Sequence, residues 1–226
     1  LGDVYKRQLP ASIRQHQLLQ EQYPYKDAAM DFEKYLFYNE LDTLFLKQNT
    51  RVFDENLQLK NEHLDMFYLS SKLKIACDMA SRNIVIQANY RCSMIEPLLN
   101  YLEGEEGQEY LNAPTVLVYY KVLKMLIKAE EQYYFELKSD LEKSVQNFSR
   151  EEAKLIYDYA ENYCIRKINS GQSHYYREFL DLYKAQLRTE ILLKEGYLDE
   201  RDYKNIVTVG LRLKDYEWTE GFIHNF

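Results

Sequence analysis

Glycine and proline are scarce in this sequence, with seven glycines and four prolines among 226 residues. A sandwich or barrel of β-strands needs a turn roughly every 8–12 residues, and such turns depend on these two residues. The scarcity argues against an all-β fold, a collagen-like chain and a proline-rich linker. Hydrophobic residues make up 46% of the chain, and tyrosine alone contributes 22 residues, which is ample for a core. The composition therefore predicts a folded, mainly helical protein.

A basic excess is also lacking, since the net charge is −7 and the isoelectric point is about 5.3. Residues 1–149 and residues 150–226 are both net acidic. Proteins that bind nucleic acid normally carry a basic excess or a basic face. Nucleic acid is therefore not the expected partner, although four cations would favour RNA if they clustered: Arg166, Lys167, Arg177 and Arg188.

Cysteine is rare and its three positions, Cys77, Cys92 and Cys164, lie far apart along the chain. No CxxC pair and no cluster of cysteine and histidine occurs, so we expect neither a zinc site nor any other cofactor. Unpaired cysteines suit a reducing compartment, which predicts a cytoplasmic protein. The longest apolar run, residues 116–120, is far shorter than the ~20 residues of a spanning helix, so no membrane association is expected.

Both ends of the sequence are unusual. Residues 1–8 resemble translated adapter sequence, so we interpret them as a non-native leader and expect the true N-terminus to be missing. Near the other end, Trp218, Phe222, Ile223 and Phe226 form an apolar stripe at helical spacing. Such a stripe needs a partner, which predicts truncation at the C-terminus. We divide the remainder into an N-terminal helical segment, 9–60, and helical-hairpin repeats, 61–226.

Apolar residues recur at intervals of three and four along most of the chain, which is the helical period. We expect helices over about 27–47, 51–60, 62–80, 84–102, 114–129, 131–147, 150–167, 174–194, 200–213 and from 216 onward. Pro114 suits a first helical position, Ser149 with Glu152 forms a capping box, and Asp199 is a cap. In the helix over 62–80, one face carries Leu64, Phe67, Tyr68, Ser71, Ile75 and Met79.

The predicted helices come in pairs joined by short turns. Stacked pairs of this kind form an irregular α-solenoid of antiparallel hairpins, because each pair completes its core against its neighbours. A compact multi-helix bundle is the alternative. Gly210 lies inside a predicted helix, where glycine costs about 1 kcal/mol against alanine, so we expect a neighbouring helix to approach closely there.

Two passages, residues 155–169 and residues 203–213 with Trp218 and Phe222-Ile223, resemble a large uncharacterised bacterial family of α-helical repeats. The hairpins are broadly similar to tetratricopeptide-type repeats, although neither the 34-residue period nor the signature of that repeat is matched cleanly. The likeness covers about residues 60–226. It implies a scaffold or partner-binding role and carries no catalytic residue.

No motif of phosphate, dinucleotide or acyl-transfer chemistry occurs, and no HExxH is present. Tyrosine is the most distinctive residue type, and its rigid ring with a polar tip suits binding surfaces. We predict a non-enzymatic scaffold that binds another protein or peptide, with four candidate contacts: Tyr120, Tyr157, Tyr159 and Tyr176. The alternatives are the helical accessory region of an enzyme whose catalytic part is absent, or an RNA-binding helical repeat.

Overall fold

A computed structural model describes residues 11–47, 52–128 and 130–226, and it confirms an all-α protein. The predicted leader, 1–8, lies outside the described residues. The described part forms ten α-helices, two short 3-10 helices (Gln108–Asn112 and Val145–Asn147) and one small hairpin. The helices are α1 (Ala11–Gln22), α2 (Ala28–Leu46), α3 (Glu55–Val85), α4 (Ile95–Glu103), α5 (Pro114–Lys128), α6 (Glu131–Ser144), α7 (Arg150–Asn169), α8 (Tyr175–Arg188), α9 (Glu200–Arg212) and α10 (Tyr216–Asn225). Across these ranges, none of the helices combines the length and the apolar character that crossing a membrane requires.

The chain divides into two compact units, one ending at Leu123 and the other comprising Lys124–Phe226. In the first unit, α2 and α3 form a long helical hairpin. The sequence predicted two helices over 51–60 and 62–80, which is wrong, because α3 runs unbroken through these positions. No glycine or proline interrupts this stretch, and the Asp54 side chain caps the helix by accepting from the Asn56 amide. The predicted division of the chain at residue 60 stays a prediction; α3 crosses that position.

The core of the first unit lies along one side of α3, where Leu69, Leu73, Ala76 and Cys77 are buried. The Cys77 thiol donates to the carbonyl of Tyr119 on α5 at 3.3 Å. The following helix, α4, begins at Ile95 and not near residue 84 as predicted. Proline is favoured in the first turn of a helix and disrupts a helix interior. Pro97 accordingly lies in the first turn of α4 and not in the middle of a longer helix.

In the second unit, α7 packs against α8, and α9 packs against both α8 and α10. Tyrosines fill much of this core. The rings of Tyr134 and Tyr163 stack with centroids 5.2 Å apart, and Tyr175 meets both edge-on. Such pairs contribute about 0.5–1.5 kcal/mol each beyond the area that they bury.

A β-hairpin follows α8, with strands β1 (Leu193–Lys194) and β2 (Tyr197–Leu198) paired antiparallel. The sequence predicted helix over 174–194, and this is wrong beyond Arg188, where α8 ends. Glu195 and Gly196 both have positive φ, of 54° and 84°, which is the conformation of a tight two-residue hairpin turn. Glycine adopts it without strain and so fixes the turn at this position.

The predicted helix starts are confirmed at three places. Pro114 is the first residue of α5, Ser149 Oγ accepts from the Glu152 amide, and Asp199 Oδ1 accepts from the Arg201 amide. The close approach at Gly210 is confirmed as well. A Cβ added there would lie 2.2 Å from the Oγ1 of Thr219, on α10.

Trp218 on α10 stacks on Phe222 with ring centroids 5.6 Å apart. The Lys184 ammonium of α8 lies 4.1 Å from the indole centroid, within the range of a cation–π contact. This contact joins α8 to the last helix of the unit.

Candidate functional site

An open groove of about 850 Å³ crosses the surface of the second unit, between the first turn of α7, the β-hairpin and the first turn of α9. We call it the charged groove. Its cations are Arg150, Lys154, Lys194 and Arg201. Its carboxylates are Glu151, Glu195, Asp199 and Asp202. Equal numbers of each sign make the groove electrically balanced.

Local sequence explains how the walls are placed. The Ser149 and Asp199 caps start α7 and α9 at the groove, which brings Arg150 and Arg201 to its edges. The Arg150 Nε donates to the carbonyl of Ile191 at 3.0 Å and ties α7 to the segment that leads into the hairpin. The turn at Gly196 then returns the chain to α9.

Asp202 forms the floor of the groove, and its side chain is almost completely buried. Lys154 Nζ donates to Asp202 Oδ2 at 2.9 Å and lies 3.7 Å from Asp158 Oδ1. The other oxygen, Asp202 Oδ1, accepts no hydrogen bond from the residues that the structure describes. The Nη2 of Arg201 lies 3.6 Å from this oxygen. The neighbouring Asp202 raises the pKa of the Arg201 guanidinium above its usual value.

Behind the groove, Glu161 on α7 is only 6% exposed. It accepts a hydrogen bond from Gln186 Nε2 of α8 at 2.6 Å. Burial raises the pKa of the Glu161 carboxyl to about 7, and the charges of Asp158 and Asp202 add to the effect, while Gln186 and Lys154 oppose it. Glu161 belongs to the interior and does not line the groove.

The rim of the groove is formed by the hairpin. Tyr197 is 78% exposed, and Lys194 and Glu195 stand beside it, also exposed. An aromatic ring among charges of both signs is typical of a surface that binds protein segments, because the ring supplies area and the charges supply specificity. The arrangement can hold a polypeptide that carries its own charges of both signs.

The four tyrosines predicted as contacts lie in different surroundings. Tyr157 and Tyr159 are buried, at 2% and 3% exposed, so a partner on the surface would meet little of their rings. Tyr120, in the first unit, donates to Glu103 at 3.1 Å. Tyr176 is half-buried; its hydroxyl accepts from Arg212, whose guanidinium also lies 5.0 Å from the ring centroid. A binding role for these residues stays a prediction.

The four cations that would favour RNA do not all share the same neighbours. Arg166 and Lys167 lie over the ring of Tyr163, at 5.6 and 5.4 Å from its centroid. Arg177 pairs with Asp215 at 3.4 Å. Arg188 follows eleven residues later on α8, about 16 Å along the helix axis. These cations therefore lie at more than one place in the second unit.

No group of three side chains able to hold a metal occurs in residues 11–47, 52–128 and 130–226. His174 and Glu178 lie four residues apart, at a spacing that could place them on one helix face, and the Glu178 carboxylate pairs with Lys138 Nζ at 2.8 Å. Comparison of the chain with protein-family models, with curated proteins and with solved structures finds no match. The likeness to helical repeats that the sequence suggested therefore stays a prediction.

Sequence reasoning missed the hairpin residues Lys194 and Tyr197, because it placed this stretch at the end of a helix. A signal was present. Glu195-Gly196 lies between two short and mostly apolar runs, residues 191–194 and 197–198, which is the pattern of a hairpin with a two-residue turn.

Proposed function

We propose that this chain is a non-enzymatic helical-repeat module that binds another protein, and that its charged groove is the binding surface. The observation that carries the proposal is the composition of the groove: four cations, four carboxylates and an exposed tyrosine around one open depression. A partner segment would replace water at the rim and pair with the charges that the chain leaves exposed.

The balance of charge supports protein over RNA as the partner. An RNA-binding groove gains most of its affinity from cations that neutralise phosphates, and uncompensated carboxylates among them weaken that attraction. Here four carboxylates offset the four cations of the groove, and Lys154 and Arg201 both lie beside Asp202. RNA binding is therefore the less favoured function.

Two features support binding over catalysis. A general acid or base must reach its substrate and needs a pKa near the working pH. Glu161, whose pKa burial raises to about 7, lies behind the groove and is bonded to Gln186. In the groove, the Asp202 carboxylate is held by Lys154 and is part of the floor. An accessory role beside a catalytic region elsewhere in a longer protein is compatible with the same binding surface.

We further propose that the helical hairpins stack as an irregular α-solenoid and that the protein works in the cytoplasm. Free thiols at Cys77, Cys92 and Cys164 support a reducing compartment. Small-angle X-ray scattering tests the stacking. A radius of gyration well above ~17 Å, the value of a round domain of this size, supports the solenoid; a value near it supports the bundle.

Affinity capture tests the proposed function when the groove itself is varied. The bait is the full chain, with and without nuclease, compared with a double variant, Lys194→Glu with Tyr197→Ala. Both side chains are exposed, so the fold should be retained, as circular dichroism will check. A matched control, Lys204→Glu, makes the same charge change at another exposed position of α9, away from the groove lining.

We expect a defined protein that is captured with and without nuclease, is retained by the control and is lost with the double variant. Capture that the double variant leaves intact would refute the groove as the binding surface. Capture that collapses with nuclease and falls steeply with salt would favour RNA binding. Recovery of the bait alone would count against partner binding.

A further inference from the structure

One side of α3 carries apolar side chains that are about half exposed. Leu57, Leu64, Tyr68 and Ile75 are between 41% and 53% exposed. They follow one another at intervals of seven, four and seven residues, so with 3.6 residues per turn they form one straight line along the helix. We call this line the outer stripe. The buried residues of α3, such as Leu73 and Cys77, lie on the opposite side.

The sequence assigned three of these residues, Leu64, Tyr68 and Ile75, to one face of a helix by their spacing, and nothing in the proposed function uses them. Exposed apolar residues scattered singly are ordinary on protein surfaces. A continuous line of them on a 31-residue helix is different, because it marks a surface that gains free energy from being covered.

The residue types along the outer stripe are symmetric about its centre. Its centre falls midway between Leu64 and Tyr68, and positions equidistant from that centre carry side chains of the same kind. The matched positions are Leu64 with Tyr68, Asn61 with Ser71, and Leu57 with Ile75. A two-fold interface requires such self-matching, since residue i of one copy meets residue j of the other and the reverse.

We propose that the outer stripe binds the outer stripe of a second copy of this chain, with the two α3 helices antiparallel about a two-fold axis between Leu64 and Tyr68. Apolar side chains then meet apolar ones, and Asn61 meets Ser71 of the second copy. Polar positions inside such a seam favour one register, because a shift of one heptad that brings position 61 opposite position 64 would place Asn61 against Leu64 of the second copy.

The available area is sufficient. An antiparallel pair centred on position 66 overlaps over residues 55–77 of α3, about 33 Å, and contact there over an arc of about 18 Å covers about 600 Å². Two copies together would bury about 1,200 Å², which reaches the lower end of the roughly 1,200–2,000 Å² of stable protein–protein interfaces. This surface belongs to the first unit, so its test is independent of the charged groove.

Sedimentation equilibrium of the full chain tests the pairing. We expect a mass of twice 27.2 kDa for the natural sequence and 27.2 kDa for Tyr68→Glu, which places a carboxylate against Leu64 at two symmetry-related points. Leu211→Glu is the matched control, because Leu211 is also half exposed on a helix but lies in the other unit. It should remain a dimer. A natural chain that is monomeric at every concentration would overturn the proposal.

Disulfide cross-linking tests the antiparallel register without relying on a destabilising charge. In a Cys92→Ser background, which leaves only the buried Cys77 and Cys164, the double variant Asn61→Cys with Ser71→Cys should form covalent dimers on oxidation. Asn61→Cys alone should not, because antiparallel pairing keeps the two copies of position 61 apart. Efficient cross-linking of the single variant would overturn the antiparallel arrangement.

Discussion

Replacing Glu161 by glutamine should stabilise the protein at alkaline pH and leave its stability unchanged in acid. Glu161 is buried between α7 and α8, and the residues charged around it are Lys154, Asp158 and Asp202. Two carboxylates outnumber one ammonium, so the ionised form of Glu161 is poorly compensated. Glutamine has nearly the same shape, and its carbonyl can still accept from Gln186 Nε2.

The magnitude follows from the pKa of Glu161, which burial raises from 4.5 to about 7. Below about pH 4.5 the group is protonated in both the folded and the unfolded chain. Between about pH 4.5 and pH 7 only the unfolded chain loses the proton, so the free energy of unfolding falls as the pH rises. The total loss is about 3 kcal/mol, at about 1.4 kcal/mol per pH unit.

Urea unfolding, followed by circular dichroism from pH 4.5 to pH 8.5, measures the difference between the variant and the natural chain. We expect a difference near zero at the acid end and about 3 kcal/mol in favour of Glu161→Gln above pH 8. Glu220→Gln, at an exposed position of α10, is the control and should stay within about 0.5 kcal/mol throughout. A difference for Glu161→Gln that does not vary with pH would refute the assignment of a raised pKa.

Two further predictions concern packing and thiol chemistry. Gly210→Ala should lower the free energy of unfolding by about 1–3 kcal/mol through overpacking, whereas Gly221→Ala, where an added Cβ meets nothing within 4 Å, should raise it by up to about 1 kcal/mol. Equal effects in thermal or urea unfolding would contradict the close contact at Gly210. In the folded protein a thiol reagent should react with Cys92 much faster than with Cys77 and Cys164, because burial raises the pKa of both, that of Cys164 to about 12. Rapid labelling of Cys164, located by mass spectrometry, would contradict this order.

Helices with a marked start could be predicted from the sequence. Pro114, Ser149 and Asp199 act locally, through the residues of a single turn, and each helix begins where these residues place it. The unbroken α3 and the hairpin could not be predicted in the same way. Residues 59–62 contain no glycine or proline, and Asn61, a residue that can cap a helix, donates to Asp65 within α3. The change in apolar pattern there therefore reflected a change in neighbours, not an end of the helix.

The candidate groove could not be predicted from the spacing of apolar residues along the chain. It depends on where α7 and α9 start relative to each other, which is set by packing across α8, and on a turn of two residues. The abundance of tyrosine suggested that some tyrosines form a binding surface. Composition could not distinguish Tyr157, which is buried in the core, from Tyr197, which is exposed. Each has an apolar residue directly after or before it and a charged residue within two positions.

The single tryptophan of the chain makes the second unit optically distinct from the first. Trp218 is held between Phe222 and the Lys184 ammonium, so its fluorescence reports when α8 and α10 separate. The 22 tyrosines, in contrast, report on the whole molecule. Comparing the two signals during unfolding would reveal whether the chain melts in one cooperative transition or in two, and no label would have to be introduced.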